Sequence, residues 1–113
     1  MEKVHAKIGV QKYKTSIKGK NLELIADQSE SEGGMNLGPS PKELLAGSLA
    51  GCVAMTVRMY ADRSNWPLEE VLVDVEIDTV TTPGTTIFKK KVEFKGDLTD
   101  EQLKRLHLIA QKC

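Results

Sequence analysis

Cys52 and Cys113, the two cysteines of this chain, are the side chains best equipped for chemistry of their own. A thiolate is a nucleophile, and two thiols that reach each other can close to a disulfide, so the pair could run a redox cycle. They stand far apart in a chain with no secretion signal, which favours free thiols or a redox pair over a structural staple. Metal binding lacks local support, because His5 and His107, the only histidines, form no C-x-x-C or H-x-x-x-H spacing with them. His107 falls about 240° around a helix from Cys113, so it reads as a partly exposed structural histidine. No motif calls for a cofactor.

Composition narrows the partners. The 16 basic and 16 acidic side chains cancel, which removes the long-range field that would draw in nucleic acid or an anionic membrane. No run reaches the roughly 18 apolar residues of a membrane span, and MEKVHAKIGV is not a signal peptide, so the expected location is cytoplasmic. At 113 residues the chain reads as a single domain, 1–113, with a core small enough to gain from oligomerisation.

The elements that must position the cysteines follow from periodicity. Val4, Ala6, Ile8 and Val10 alternate with polar residues as in a half-buried strand, and Tyr13, Thr15, Ile17, Leu22 and Leu24 continue as a hairpin turning at 18–21. QSESEGGMNLGPSP, residues 28–41, reads as a mobile surface loop. VLVDVEIDTV and IFKKKVEFK form a second hairpin around Pro83-Gly84, with Val71, Val73, Val75, Ile77, Phe88, Val92 and Phe94 inward. A symmetric register sets Asp78 near Lys89 and Glu76 near Lys91, and the charge run is a solvated face. Thr99 and Gln102 make a capping box for a last helix whose stripe is Leu103, Leu106, Ala110 and Cys113. The sum is an α+β fold with antiparallel pairing.

Cys52 lies in the remaining helix. Ser40 caps it, Pro41 suits its first turn, and no charge interrupts it between Glu43 and Arg58. A helix apolar all round must be covered all round, and one small sheet covers one side. Gly47 and Gly51 each cost about 1 kcal/mol relative to alanine, so close approach of another backbone is worth more than propensity here. A second copy of the same helix fits, giving a homodimer. Leu45, Leu49, Met55, Thr56 and Met59 share the Cys52 surface. Two readings of Cys52 stay open at this point: a small buried hydrophobe, or a reactive thiol ionised by a nearby cation.

GPSPKELLAGSLAGC, the charged alternating hairpin and the closing helix ending in AQKC together resemble the OsmC/Ohr family, named for osmotically inducible protein C and organic hydroperoxide resistance protein. Gly38, Pro41, Glu43, Leu44 and Cys52 match its signature, and Cys113 matches its second cysteine. The resemblance implies an antiparallel sheet wrapped around a central buried helix in an intertwined homodimer. It also implies a thiol peroxidase for organic hydroperoxides in oxidative stress defence, with Cys52 peroxidatic, Cys113 resolving, and an external dithiol as reductant. The alternative is a non-catalytic member that binds an apolar small molecule or senses redox state. Active members place a glutamate directly after the proline and pair it with an arginine from an early loop. Here Lys42 follows Pro41 and the first arginine is Arg58, so Lys18, Lys20 or Lys42 would have to supply the positive charge. Family members also continue past the second cysteine with a proline and a final strand, which this sequence does not contain.

Overall fold

A computed structural model describes residues 1–112 and divides the chain into two compact units, Met1–Leu45 and Ala46–Cys113. The first unit is built on three antiparallel strands in sequential order, β1 (Val4–Ile8), β2 (Thr15–Gly19) and β3 (Leu22–Ala26). Gly19 pairs with Leu22, which leaves Lys20 and Asn21 as the turn inside the expected 18–21 interval. Alternation in β1 promised a half-buried strand, yet all five of its residues are exposed. Periodicity identifies the face that can be buried, and within this chain nothing among the described residues covers it.

The segment after β3 corrects the expectation of a mobile loop. Asp27 is buried, and its carboxylate accepts N–H groups from Tyr13 (3.1 Å) and Gln28 (2.7 Å) on Oδ1 and from Met35 and Leu37 (both 3.3 Å) on Oδ2. The Asp27 N–H donates in turn to the Pro39 carbonyl at 3.0 Å. A 3₁₀ turn at Glu30–Glu32 and a left-handed Asn36 (φ 54°) let the backbone circle this carboxylate. A Cβ on Gly38 would run into the Ile25 carbonyl, so glycine is required there for close approach. Composition marks such a segment as a loop, and one buried charge surrounded by four donors gives it a fixed shape.

The long helix α1 (Pro41–Arg63) begins as expected, with Ser40 Oγ accepting the Glu43 N–H at 3.2 Å. Its end is a Schellman motif: Trp66 N–H reaches Ala61 O (2.9 Å), Asn65 N–H reaches Asp62 O (3.2 Å), and Asn65 takes the left-handed conformation at φ 57°. Val53, Val57 and Ala61, spaced by four, are its buried residues. The reading that no run is long enough for a membrane span is corrected. The 23 residues of α1 contain an 18-residue window of mean hydropathy 1.4, long and apolar enough by length and composition. Its many Gly, Ala, Ser and Thr residues hid this, because they neither break the helix nor add charge.

β4 (Leu68–Asp78) and β5 (Ile87–Gly96) form the second hairpin, with a register two residues off the symmetric one. Glu76 faces Lys89, Asp74 faces Lys91 and Asp78 faces Ile87. The Glu76–Lys91 pair is therefore not formed, whereas Lys89 reaches Asp78 diagonally at 3.4 Å. The cause lies at the strand end. Asp78 Oδ1 accepts N–H from Val80 and Thr81, and Oδ2 accepts the Thr81 hydroxyl, so the chain leaves the ladder at residue 78. Those bonds, the Thr81 hydroxyl first, hold the Asp78 carboxyl well below the usual carboxylate range. A two-residue shift keeps every side chain on its face, so the inward set stays on one side of the hairpin, but Phe88, expected inward, is 48% exposed near the turn, where nothing of the core reaches it.

Helix α2 (Asp100–Gln111) carries the full capping box: Thr99 Oγ1 accepts the Gln102 N–H at 3.2 Å and Gln102 Oε1 accepts the Thr99 N–H at 2.9 Å. Leu106 and Ala110 join Val53, Val57, Ala61 and Leu68 in the core of the second unit. Val71, Val73, Val92, Phe94 and Leu98 pack against it half-buried. His107 is exposed, its ring edge-on to Phe94 at 4.7 Å, which is the structural role expected of it. Cys113, the last member of the α2 stripe, lies outside the described residues.

Candidate active site

Cys52 sits three turns into α1, beside buried Val53 on the next position, and is itself exposed. In the chain alone it is therefore not the inert buried hydrophobe that composition left open. Its helical neighbours give it an apolar setting: Leu49 and Thr56 are half-buried, and Met55 and Met59 are 63% and 51% exposed. Among the described residues, no hydrogen bond or ion pair engages Cys52.

The basic residues named in the sequence have the following surroundings. Arg58 is committed: Nε and Nη2 donate to Asp62 at 3.0 and 2.6 Å, and Nη1 donates to the Leu68 carbonyl at 2.7 Å. It ties the last turns of α1 to the start of β4. Lys42 stands ten residues before Cys52 on the same helix, a rise of about 15 Å, beyond the reach of its side chain. Lys18 is 3.8 Å from Glu23 on the neighbouring strand, and Lys20 is exposed in the turn.

The surface next to Cys52 is shaped by α2. Thr56, Met59, Tyr60 and Arg63 of α1, Ile109 of α2 and Lys112, the residue that caps α2, line a hollow of about 240 Å³. Cys52, Thr56, Met59 and Arg63 recur at spacings of four, three and four, so Cys52 continues the same stripe one turn toward the helix N-terminus. Lys112, the residue before Cys113, is part of this lining. Arg105 secures the approach of α2 to α1, donating from Nε to the Tyr60 hydroxyl at 2.9 Å with its guanidinium 5.6 Å from the Tyr60 ring centre.

One further residue went unnoticed in the sequence. Lys90 lies on the inward face of β5, opposite Val75, and its ammonium donates to the Ala110 carbonyl in the last turn of α2 at 2.6 Å. The signal was present, since position 90 is in phase with Phe88, Val92 and Phe94, but the run Lys89-Lys90-Lys91 reads as one solvated patch. A larger open hollow of about 990 Å³ belongs to the first unit, where Ile8, Tyr13, Ile17 and Ala26 line it together with Asp27 and Lys42. No cysteine lines it.

Comparison with known proteins adds the following. The family model described as OsmC-like protein matches residues 32–113. No curated protein matches the sequence. An OsmC-like protein from Mycoplasma pneumoniae has a similar structure, with a TM-score of 0.79 at 15% identity over 100% of this chain and 82% of that one. An organic hydroperoxide resistance protein from Legionella pneumophila gives 0.73 at 20% identity, over 99% and 82% of the two chains. An OsmC-like protein of unknown function from Vibrio cholerae gives 0.75 at 13% identity, over 99% and 88%. At these identities the likeness is one of fold: antiparallel sheets with a central helix.

Proposed function

The chain belongs to the OsmC-like protein family, and from that membership we propose that it is a thiol-dependent peroxidase that reduces organic hydroperoxides. One observation carries the reading. Exposed Cys52 continues the α1 stripe that, one turn on, lines a hollow shared with Lys112, the immediate neighbour of the second cysteine.

The chemistry needs two thiols and no cofactor. The Cys52 thiolate attacks the terminal peroxide oxygen; the S–O bond forms, the O–O bond breaks, and the alkoxide leaves and takes a proton to become the alcohol. Cys52 is then a sulfenic acid. The Cys113 thiolate attacks that sulfur, the S–S bond forms, and the hydroxyl leaves as water before a second peroxide can over-oxidise Cys52. An external dithiol reduces the disulfide by exchange and restores both thiols. Exposed Leu45, Met55 and Met59, with half-buried Leu49, would hold the organic part of the peroxide, since their apolar surface favours a hydrocarbon substituent over hydrogen peroxide. We place this activity in the cytoplasm and in a homodimer whose seam is α1, because the chain alone leaves Leu45, Met55 and Met59 of that helix half or more exposed. The absence of a described cation contact at Cys52 favours one other reading, a dimer that binds an apolar molecule without turnover.

Titrating the reduced protein with cumene hydroperoxide separates the two. The peroxidase consumes one equivalent with loss of both thiols and the mass of a Cys52–Cys113 disulfide. Binding without chemistry leaves both thiols free to alkylate.

A further inference from the structure

Two of the 4 methionines of the chain, Met55 and Met59, follow Cys52 on α1 at spacings of three and seven residues. At 100° per residue the three side chains fall within about 60° of one another, with a rise of about 4.5 Å from Cys52 to Met55 and about 6 Å from Met55 to Met59. Helix neighbours three or four apart have Cβ atoms about 5–6 Å from each other, and methionine has three rotatable bonds with which to close the remainder. All three residues are exposed, whereas Val53 and Val57 on the other side of the helix are fully buried. Filling an apolar seam calls for no sulfur, and leucine does it with a better-defined shape. One thiol and two thioethers on one helix face are, in addition, a set of soft metal donors. Among the described residues, no group of three His, Cys, Asp or Glu side chains offers a metal ion a competing site. The histidine spacing gave no metal site because the donors here include methionine.

We propose that Cys52, Met55 and Met59 form a three-sulfur site for Cu(I). Thiolate and thioether ligands select this cation, which accepts a low coordination number, while Zn(II) asks for a fourth donor with imidazole or further thiolates, and Mg(II) and Ca(II) ask for oxygen. Binding forms the S–Cu bond, sends the Cys52 proton to solvent and changes no oxidation state. The charges of thiolate and Cu(I) cancel, so the complex suits the apolar surface that Met55, Met59 and half-buried Leu49 present. Cys52 supplies the charge, and the two thioethers complete the shell and set its selectivity. The site stands apart from the peroxidase reading, since it needs no turnover; metal and peroxide compete for one sulfur.

The test uses the full chain carrying Cys113→Ser, so that Cys52 is its one thiol, and Cu(I) supplied without oxygen against the chromogenic chelator bathocuproine disulfonate. One Cu(I) per chain is the expected result, with thiolate-to-copper absorption in the near ultraviolet and no displacement by excess Zn(II). Met55→Leu and Met59→Leu conserve volume and apolar surface, so circular dichroism and sedimentation stay those of the parent while a donor is lost. Each is expected to weaken Cu(I) binding by at least about tenfold, the scale on which altered ligand shells lose metal. X-ray absorption is expected to count three sulfur neighbours around copper in the parent and one in the double variant Met55→Leu/Met59→Leu. Binding by that double variant as tight as by the parent would mean a thiol acting alone, and overturns the proposal. Failure of the parent to take Cu(I) from the chelator overturns it as well. No peroxide enters the measurement, so either failure leaves the peroxidase reading standing, and loss of that reading leaves this site to be decided by copper.

Discussion

Asp27 illustrates how a single side chain outweighs the composition around it. Burial alone would push its carboxyl up, but N–H groups of Gln28, Tyr13, Leu37 and Met35 bond the charged form and leave it below the ordinary carboxylate value. A depressed folded value means that its contribution to stability is complete above the unfolded value of about 3.9 and is lost as pH falls through the folded one. Asp27→Asn removes one acceptor oxygen and leaves the Met35 and Leu37 donors without their partner. The expected outcome is a lower urea midpoint at neutral pH and a weaker acid dependence than in the parent. Nothing in QSESEGGMNLGPSP advertised this, since an aspartate at a strand end is usually solvated and its four donors come from three separate stretches of chain. Cys52 was legible as the one thiol in the uncharged stretch between Glu43 and Arg58. Its exposure was not, because pattern states which residues share a face and leaves open what covers that face.

At the level of elements, capping and periodicity transferred almost unchanged into structure. The Thr99–Gln102 box was readable because both partners lie within four residues of each other, and local bonds need no tertiary context. Thr99→Ala is expected to cost about 1 kcal/mol in chemical denaturation, with Cys52 reactivity unchanged. The β4–β5 register was misread by two residues because side-chain bonds from Asp78 end the ladder, a choice that alternation cannot reveal. Helix α1 offers an element-level test of what covers it. A Cβ at Gly47 or Gly51 meets no atom within 4 Å inside the chain. On an uncovered helix, Gly51→Ala would therefore raise stability by about 1 kcal/mol. With a second copy packed closely there, the same substitution is expected to lower the melting temperature and weaken association, and thermal melts at two protein concentrations read the sign.

Across the whole molecule, the small core explains why association is expected. The buried residues of the second unit are Val53, Val57, Ala61, Leu68, Leu106 and Ala110, while β1 and much of α1 expose apolar side chains. A chain of this size gains substantially from hiding such area in a partner. Sedimentation equilibrium is expected to return twice the mass of one chain, and Met59→Glu to shift it toward the monomer. The fold class and both hairpins were legible because each depends on a period of two or 3.6 repeated over many residues. The relation of Cys52 to the end of α2 was not, since it depends on Arg105 meeting Tyr60 and Lys90 meeting Ala110 across 45 and 20 residues of sequence.

The central claim is that the sulfur of residue 52 is what the peroxide meets. Its most direct test is the rate of cumene hydroperoxide consumption by Cys52→Ser beside the parent, each with excess dithiothreitol. Peroxide loss that falls to the rate of dithiothreitol alone is the expected result. Consumption by the serine variant as fast as by the parent would contradict it.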